Sequence, residues 1–132
     1  QKGGKVYRQW VKLGGSSGEI VRTRAVIDAG AMRNTMCTRK WQQWHHRLGR
    51  KEESAVIMRV ADNHTIPSVG RWTGKTTVSG VEMETTFEMF DSHGAFEIIL
   101  GKPWLRAVKA IHHFKDDMIN ISSTNKIVTI TN

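Results

Sequence analysis

AVIDAGAMRNTM, Ala25 to Met36, runs from three apolar residues into an aspartate and then into a turn of small residues. An apolar strand that ends in Asp28 and continues as Ala29, Gly30 and Ala31 lets the backbone turn sharply and leaves little bulk around the carboxylate. Asp28 is then both firmly placed and accessible. Taken alone, the pattern also fits an ordinary strand-end turn, in which an aspartate caps its own backbone. What surrounds the stretch decides between the two.

Upstream, KVYRQWVKL and EIVRTRAVID flank GGSSG, Gly14 to Gly18, and predict a hairpin. In its second arm Arg22 and Arg24 share one face, and Val21, Ala25 and Ile27 the other. Downstream, VEMETTFEMF puts Val81, Met83, Phe87 and Met89 on one parity and Glu82, Glu84 and Glu88 on the other, as in a half-buried strand. Further strands are expected at 55–60, 66–72, 76–79 and 96–100, and in MINIS and KIVTIT, with DNHT, DSHG and STN as turn signals. Many short strands separated by turns indicate an all-β sandwich or barrel. Two helices interrupt them. One, near 38–48, takes Thr38 as N-cap, sets Trp41, Trp44 and Leu48 on one stripe and ends at Gly49. The other, near 103–108, opens with Pro103 and carries Trp104, Leu105 and Val108.

The 132 residues predict one domain, 1–132, with no linker that would divide it. The first residue is Gln1 rather than Met, as expected of a domain within a longer polypeptide. No run approaches the ~20 apolar residues of a membrane span, so no membrane partner is expected. A lone cysteine, Cys37, favours an intracellular, cytoplasmic setting and reads as a small core filler. The pairs His45-His46 and His112-His113 point apart on either type of element and match no zinc spacing, so no metal is expected. No phosphate loop, Ser/His/Asp order or HExxH motif calls for a cofactor or another hydrolytic mechanism. The net charge of +8 raises nucleic acid as a partner, although the basic residues are spread along the chain and only TRKWQQWHHRLGRK concentrates them.

EIILGKPWL, Glu97 to Leu105, supplies the second element: an apolar strand that reaches Gly101 and then a short helix. With AVIDAGAMRNTMC near the start and FEMFDSHGAFEIILGKPWLRAVKAIHHF near the end, nearly the whole chain resembles the retropepsins. These are the aspartic proteases of retroviruses and long-terminal-repeat retrotransposons, and the likeness is to the fungal retroelement branch. The resemblance implies a closed acid-protease barrel with a flap hairpin. It implies that Asp28 is catalytic, that Ala29, Gly30 and Ala31 form the active-site loop, and that Ile99, Leu100 and Gly101 support it. The flap tip falls near Asp62, Asn63, His64 and Thr65 in RVADNHTIPSVGRW, with Trp72 on the returning strand as a candidate cover for the substrate cleft.

Peptide hydrolysis of this kind needs one carboxylate to take a proton from water and a second, protonated one to polarise the carbonyl. Asp91, Asp116 and Asp117 stand in turn-like contexts, and none repeats the Asp28 pattern. The second carboxylate is therefore expected from Asp28 of a twin chain, which makes the protease a homodimer. An extended peptide is the expected substrate, and the resemblance implies a retroelement polyprotein as its source. The resemblance is incomplete at Ala29, where the family has Thr or Ser whose hydroxyl braces the partner's loop across the dimer axis. That departure favours, as the alternative, a weakened or inactive peptide-binding and dimerisation module. A basic nucleic-acid-binding barrel, built on the helix with Trp41 and Trp44, is the third reading.

Overall fold

The hairpin forms as its alternation requires. In the computed structural model, which describes residues 6–132, β1 (Tyr7–Gly14) and β2 (Ile20–Ile27) pair without interruption, from Tyr7 opposite Ile27 to Gly14 opposite Ile20. Val11, Leu13, Val21, Ala25 and Ile27 point inward, while Arg22 and Arg24 point to solvent.

After β2 the chain forms β3 (Thr35–Cys37), α1 (Thr38–Leu48), β4 (Ile57–Arg59), β5 (Thr65–Pro67), β6 (Arg71–Val78) and β7 (Val81–Phe90). β8 (Ile98–Leu100), α2 (Lys102–Ala107), β9 (Ile111–His113), β10 (Met118–Ser123) and β11 (Lys126–Thr131) complete it. Six strands close a barrel in the order β1-β2-β8-β3-β7-β6. Within it β8 runs parallel to β2, and β3 runs parallel to β7. Closure leaves these strands no free edge. Inside lie Leu13, Met36, Phe87, Met89, Ile98, Leu100 and Trp104. β9, β10 and β11 form a separate sheet, tied to the hairpin where the Tyr7 hydroxyl donates to the Ile130 carbonyl at 2.8 Å.

Several sequence expectations are modified by packing. The strand expected over 66–72 is broken: β5 ends at Pro67, Ser68 Oγ donates to the Gly70 carbonyl at 2.6 Å, and β6 begins only at Arg71. The short strand expected at 76–79 is the end of β6. The cap of α1 is Cys37, not Thr38, because β3 runs directly into the helix and the last extended residue takes the cap position. Gly49 does end that helix, at φ 108°, with its N–H on the His45 carbonyl. The second helix begins one residue earlier than expected, at Lys102. Glu88 breaks the solvent-facing row of glutamates. Only 3% exposed, it is held by the Arg71 guanidinium at 2.9 Å and the Ser54 hydroxyl at 2.5 Å.

Two aromatic expectations also change. Trp72 does not cover a cleft: it is 2% exposed, stacked on Phe87 with its indole N–H on the Leu48 carbonyl at 3.0 Å. The break at Ser68 to Gly70 removes Trp72 from the hairpin and places it on a barrel strand, where its parity faces inward. Trp41 is buried and Trp44 half-buried against the core, so α1 offers its aromatic stripe to the barrel rather than to a nucleic acid.

Candidate active site

Asp28 is the first residue beyond β2, and the barrel fixes its backbone. Its N–H donates to the Leu100 carbonyl at 3.0 Å, which extends the parallel pairing of β2 with β8 by one residue. Its own carbonyl accepts the Ala31 N–H at 3.1 Å, and its Oδ1 accepts the Gly30 N–H at 2.8 Å. The aspartate therefore does cap its own turn, yet the side chain stays exposed to solvent. Both sequence readings of the stretch hold at once.

The segment Ile99 to Gly101 lies against this turn. Leu100 is fully buried, Ile99 is half-buried, and Gly101 meets the loop directly. A Cβ on Gly101 would lie 2.6 Å from the Arg33 carbonyl oxygen and 2.7 Å from that of Ala31, closer than any side chain tolerates. The next residue, Lys102, donates its N–H to the same Ala31 carbonyl at 2.9 Å.

Asn34 is the member of the site that sequence reasoning missed. Only 4% exposed, it accepts the Gly101 N–H on its side-chain oxygen at 2.9 Å and donates its amide to the Thr86 carbonyl at 3.2 Å. Its main-chain carbonyl accepts the Glu88 N–H at 2.9 Å. One amide thus joins the Asp28 loop to β7 and to the start of α2. Nothing in the quoted stretch marks Asn34, because the groups its side chain bonds lie far along the chain.

A groove of about 680 Å³ opens beside the loop, lined by Asp28, Ala29 and Gly30, by Lys102 and Arg106 from α2, and by the turn after β9. Phe114 in that turn is 82% exposed. Asp117 also borders the groove, but its carboxylate is engaged by His112 Nε2 at 2.8 Å. Near the opposite end of β8, burial opposes charge on Glu97. Hydrogen bonds from the Thr23 hydroxyl and the Arg24 N–H, with the Lys40 ammonium, outweigh it and hold the carboxyl below its ordinary range.

β4 and β5 form a hairpin apart from the barrel, paired as Ile57 with Pro67 and Arg59 with Thr65. Asp62, Asn63 and His64 lie exposed at its tip, and Thr65 opens the returning strand. Asp62 and Asn63 both take left-handed backbone, with φ 64° and 60°, which aspartate and asparagine adopt more readily than most residues. None of the tip residues lines the groove beside Asp28.

No protein-family model matches the chain, and no curated protein matches it in sequence. Solved structures do match. The retroviral protease-like domain of Ddi1 from Leishmania major superimposes with a TM-score of 0.56 at 15% identity, covering 96% of each chain. EIAV protease, solved with an inhibitor, superimposes with a TM-score of 0.65 at 16% identity over 86% of this chain and 97% of its own. The fold is retropepsin-like. Identities this low carry the architecture and not the chemistry, so the chemistry rests on the site's own residues.

Proposed function

We propose that this chain is an aspartic endopeptidase that works as a homodimer, each copy contributing Asp28 to one catalytic pair. The observation that carries the reading is the combination of an exposed carboxylate with a backbone pinned at Leu100, Gly30 and Ala31. A surface turn has no need of a buried Asn34 and a glycine without room for a Cβ beneath it. Precise support of this kind is what a reacting group requires.

In the proposed reaction, two carboxyls close together share one proton because both cannot ionise. The ionised member takes a proton from water as the water oxygen attacks the peptide carbonyl carbon, and the protonated member donates to the carbonyl oxygen, giving a gem-diol. That adduct then collapses as its C–N bond breaks, the first carboxyl passing its proton to the leaving amine nitrogen and the second taking one back from a hydroxyl. Among the described residues, the Asp28 groove holds one other carboxylate, Asp117, and its close contact with His112 leaves Asp28 as the candidate for pairing across a two-fold axis. Exposed apolar residues beside the loop, Met32 and Phe114, supply surface that a second copy would remove from water. The β4–β5 hairpin, with Asp62 to Thr65 at its tip, serves as the flap over an extended peptide. A polyprotein as that peptide's source rests only on the motif resemblance of AVIDAGAMRNTMC and EIILGKPWL to retroelement proteases.

Ala29 supports a second reading, a dimeric peptide-binding module with weak catalysis, because its methyl group has no hydroxyl to brace a partner's loop. Cleavage of a peptide library at several pH values separates the two. The protease reading expects cutting best at mildly acidic pH, abolished by Asp28→Asn. Dimers that bind peptides without cutting them favour the module, and cutting that survives the substitution contradicts the Asp28 assignment.

A further inference from the structure

The outer face of the β1–β2 hairpin carries charge that the Asp28 site does not use. β1, β2 and β6 are neighbours in the barrel and together hold six Lys and Arg side chains and no Asp or Glu. Two of these are engaged, Arg71 by Glu88 and Lys75 by Glu82. Arg8, Lys12, Arg22 and Arg24 are exposed and form no ion pair among the described residues. Strand alternation turns all four outward, and the register gathers them, with Lys12 opposite Arg22. Like charges directly across a sheet repel, so this face is stabilised when an anion covers it.

Trp10 stands in their midst, opposite Arg24 and 65% exposed, with the Arg24 guanidinium carbon 5.4 Å from its ring centroid. A groove of about 640 Å³ runs along one side between Trp10, Lys12, Arg22 and Thr77. A second, of about 410 Å³, joins Arg8 and Arg24 to Arg39 and Lys40 on α1. Glu97 borders this second groove, but Thr23, the Arg24 N–H and Lys40 already share its carboxylate. The result is a cationic track with an aromatic platform at its centre, bordered beyond Arg8 and Arg24 by Asp116 and Asp117 across a further groove.

We infer that this face binds single-stranded nucleic acid, its phosphates lying on Arg8, Lys12, Arg22 and Arg24 and a base stacking on Trp10. Every base offers a flat π-face to an exposed indole, and arginine beside the ring adds to the attraction. A duplex keeps its bases stacked inside and presents none to Trp10. An acidic peptide would match the cations but leave the platform unused.

Anisotropy titrations of the 132-residue chain with labelled oligouridylate and oligothymidylate of about 12 nucleotides test the inference. At low salt either strand should bind more tightly than a duplex of the same length, and the ratio between the two strands tells which sugar the face prefers. The log–log dependence on salt should have a slope near about −3, since each of four cations contributes about 0.7 on a single strand. Trp10→Ala should weaken binding about tenfold with the slope unchanged. The pair Arg22→Ala and Arg24→Ala should remove about 1.4 of the slope. Arg50→Ala with Lys115→Ala removes the same charge from elsewhere on the surface and should leave binding nearly as it was. Equal losses in that control, an inert Trp10→Ala, or a duplex bound as tightly as a single strand would each overturn the inference.

Discussion

At the scale of single residues, Gly101 and Ala29 exert opposite pressures on the Asp28 loop. Gly101 is required for steric reasons, because two carbonyl oxygens already occupy the space of its missing Cβ. Gly101→Ala should destabilise the fold by about 2–3 kcal/mol, the range for overpacking a site that cannot yield, and urea titration reads that loss directly. Ala29 is instead a position where a side chain is short of a function. If the loops of two copies meet there, Ala29→Thr should supply one hydrogen bond from each copy, two per dimer worth about 2 kcal/mol together, or roughly thirtyfold in dimer affinity. Sedimentation at graded concentrations measures that gain, and an unchanged dissociation constant would place Ala29 away from any two-fold contact. Asn34 belongs at this scale too. Its importance could not be read from its neighbours, because the groups it bonds come from β7 and from the β8–α2 junction, more than fifty positions away.

At the scale of elements, the best-read features were those whose period is local. The β1–β2 hairpin, β7, β11 and both helices follow from alternation, helical spacing, the stop at Gly49 and Pro103 in the first turn of α2. The segment from 66 to 72 was misread because a buried serine interrupts it, and nothing in IPSVGRW signals that its hydroxyl will bond Gly70. Trp72 inherited the error. Glu97 is the element-scale tie, joining the approach to β8 to β2 and α1 through Thr23, Arg24 and Lys40. Its carboxyl titrates below the ordinary range when folded, so its stabilisation is complete above the unfolded value near 4.3 and fades as pH falls through the lower folded value. Glu97→Gln should therefore cost on the order of 1 kcal/mol at neutral pH, a modest figure because the group is partly exposed to solvent screening. The difference from the parent should shrink in thermal melts recorded below about pH 4.

At the scale of the whole molecule, an all-β sandwich or barrel was legible from strand count and turn spacing, and the resemblance narrowed it to a closed, retropepsin-like barrel. The reactive pair of the proposed function is not legible in the same way, since that proposal takes only half of it from each chain. No helix among the described residues is long and apolar enough to cross a membrane. Symmetry therefore makes the decisive prediction. If catalysis needs Asp28 from both copies, a chain carrying Asp28→Asn should poison its partner as well as itself. Peptide cleavage by an equal mixture of parent and Asp28→Asn chains, equilibrated at constant total concentration, should fall to about a quarter of the parent's rate, because only parent–parent pairs remain competent. A fall to about half would mean that each chain acts alone, and would contradict the shared site.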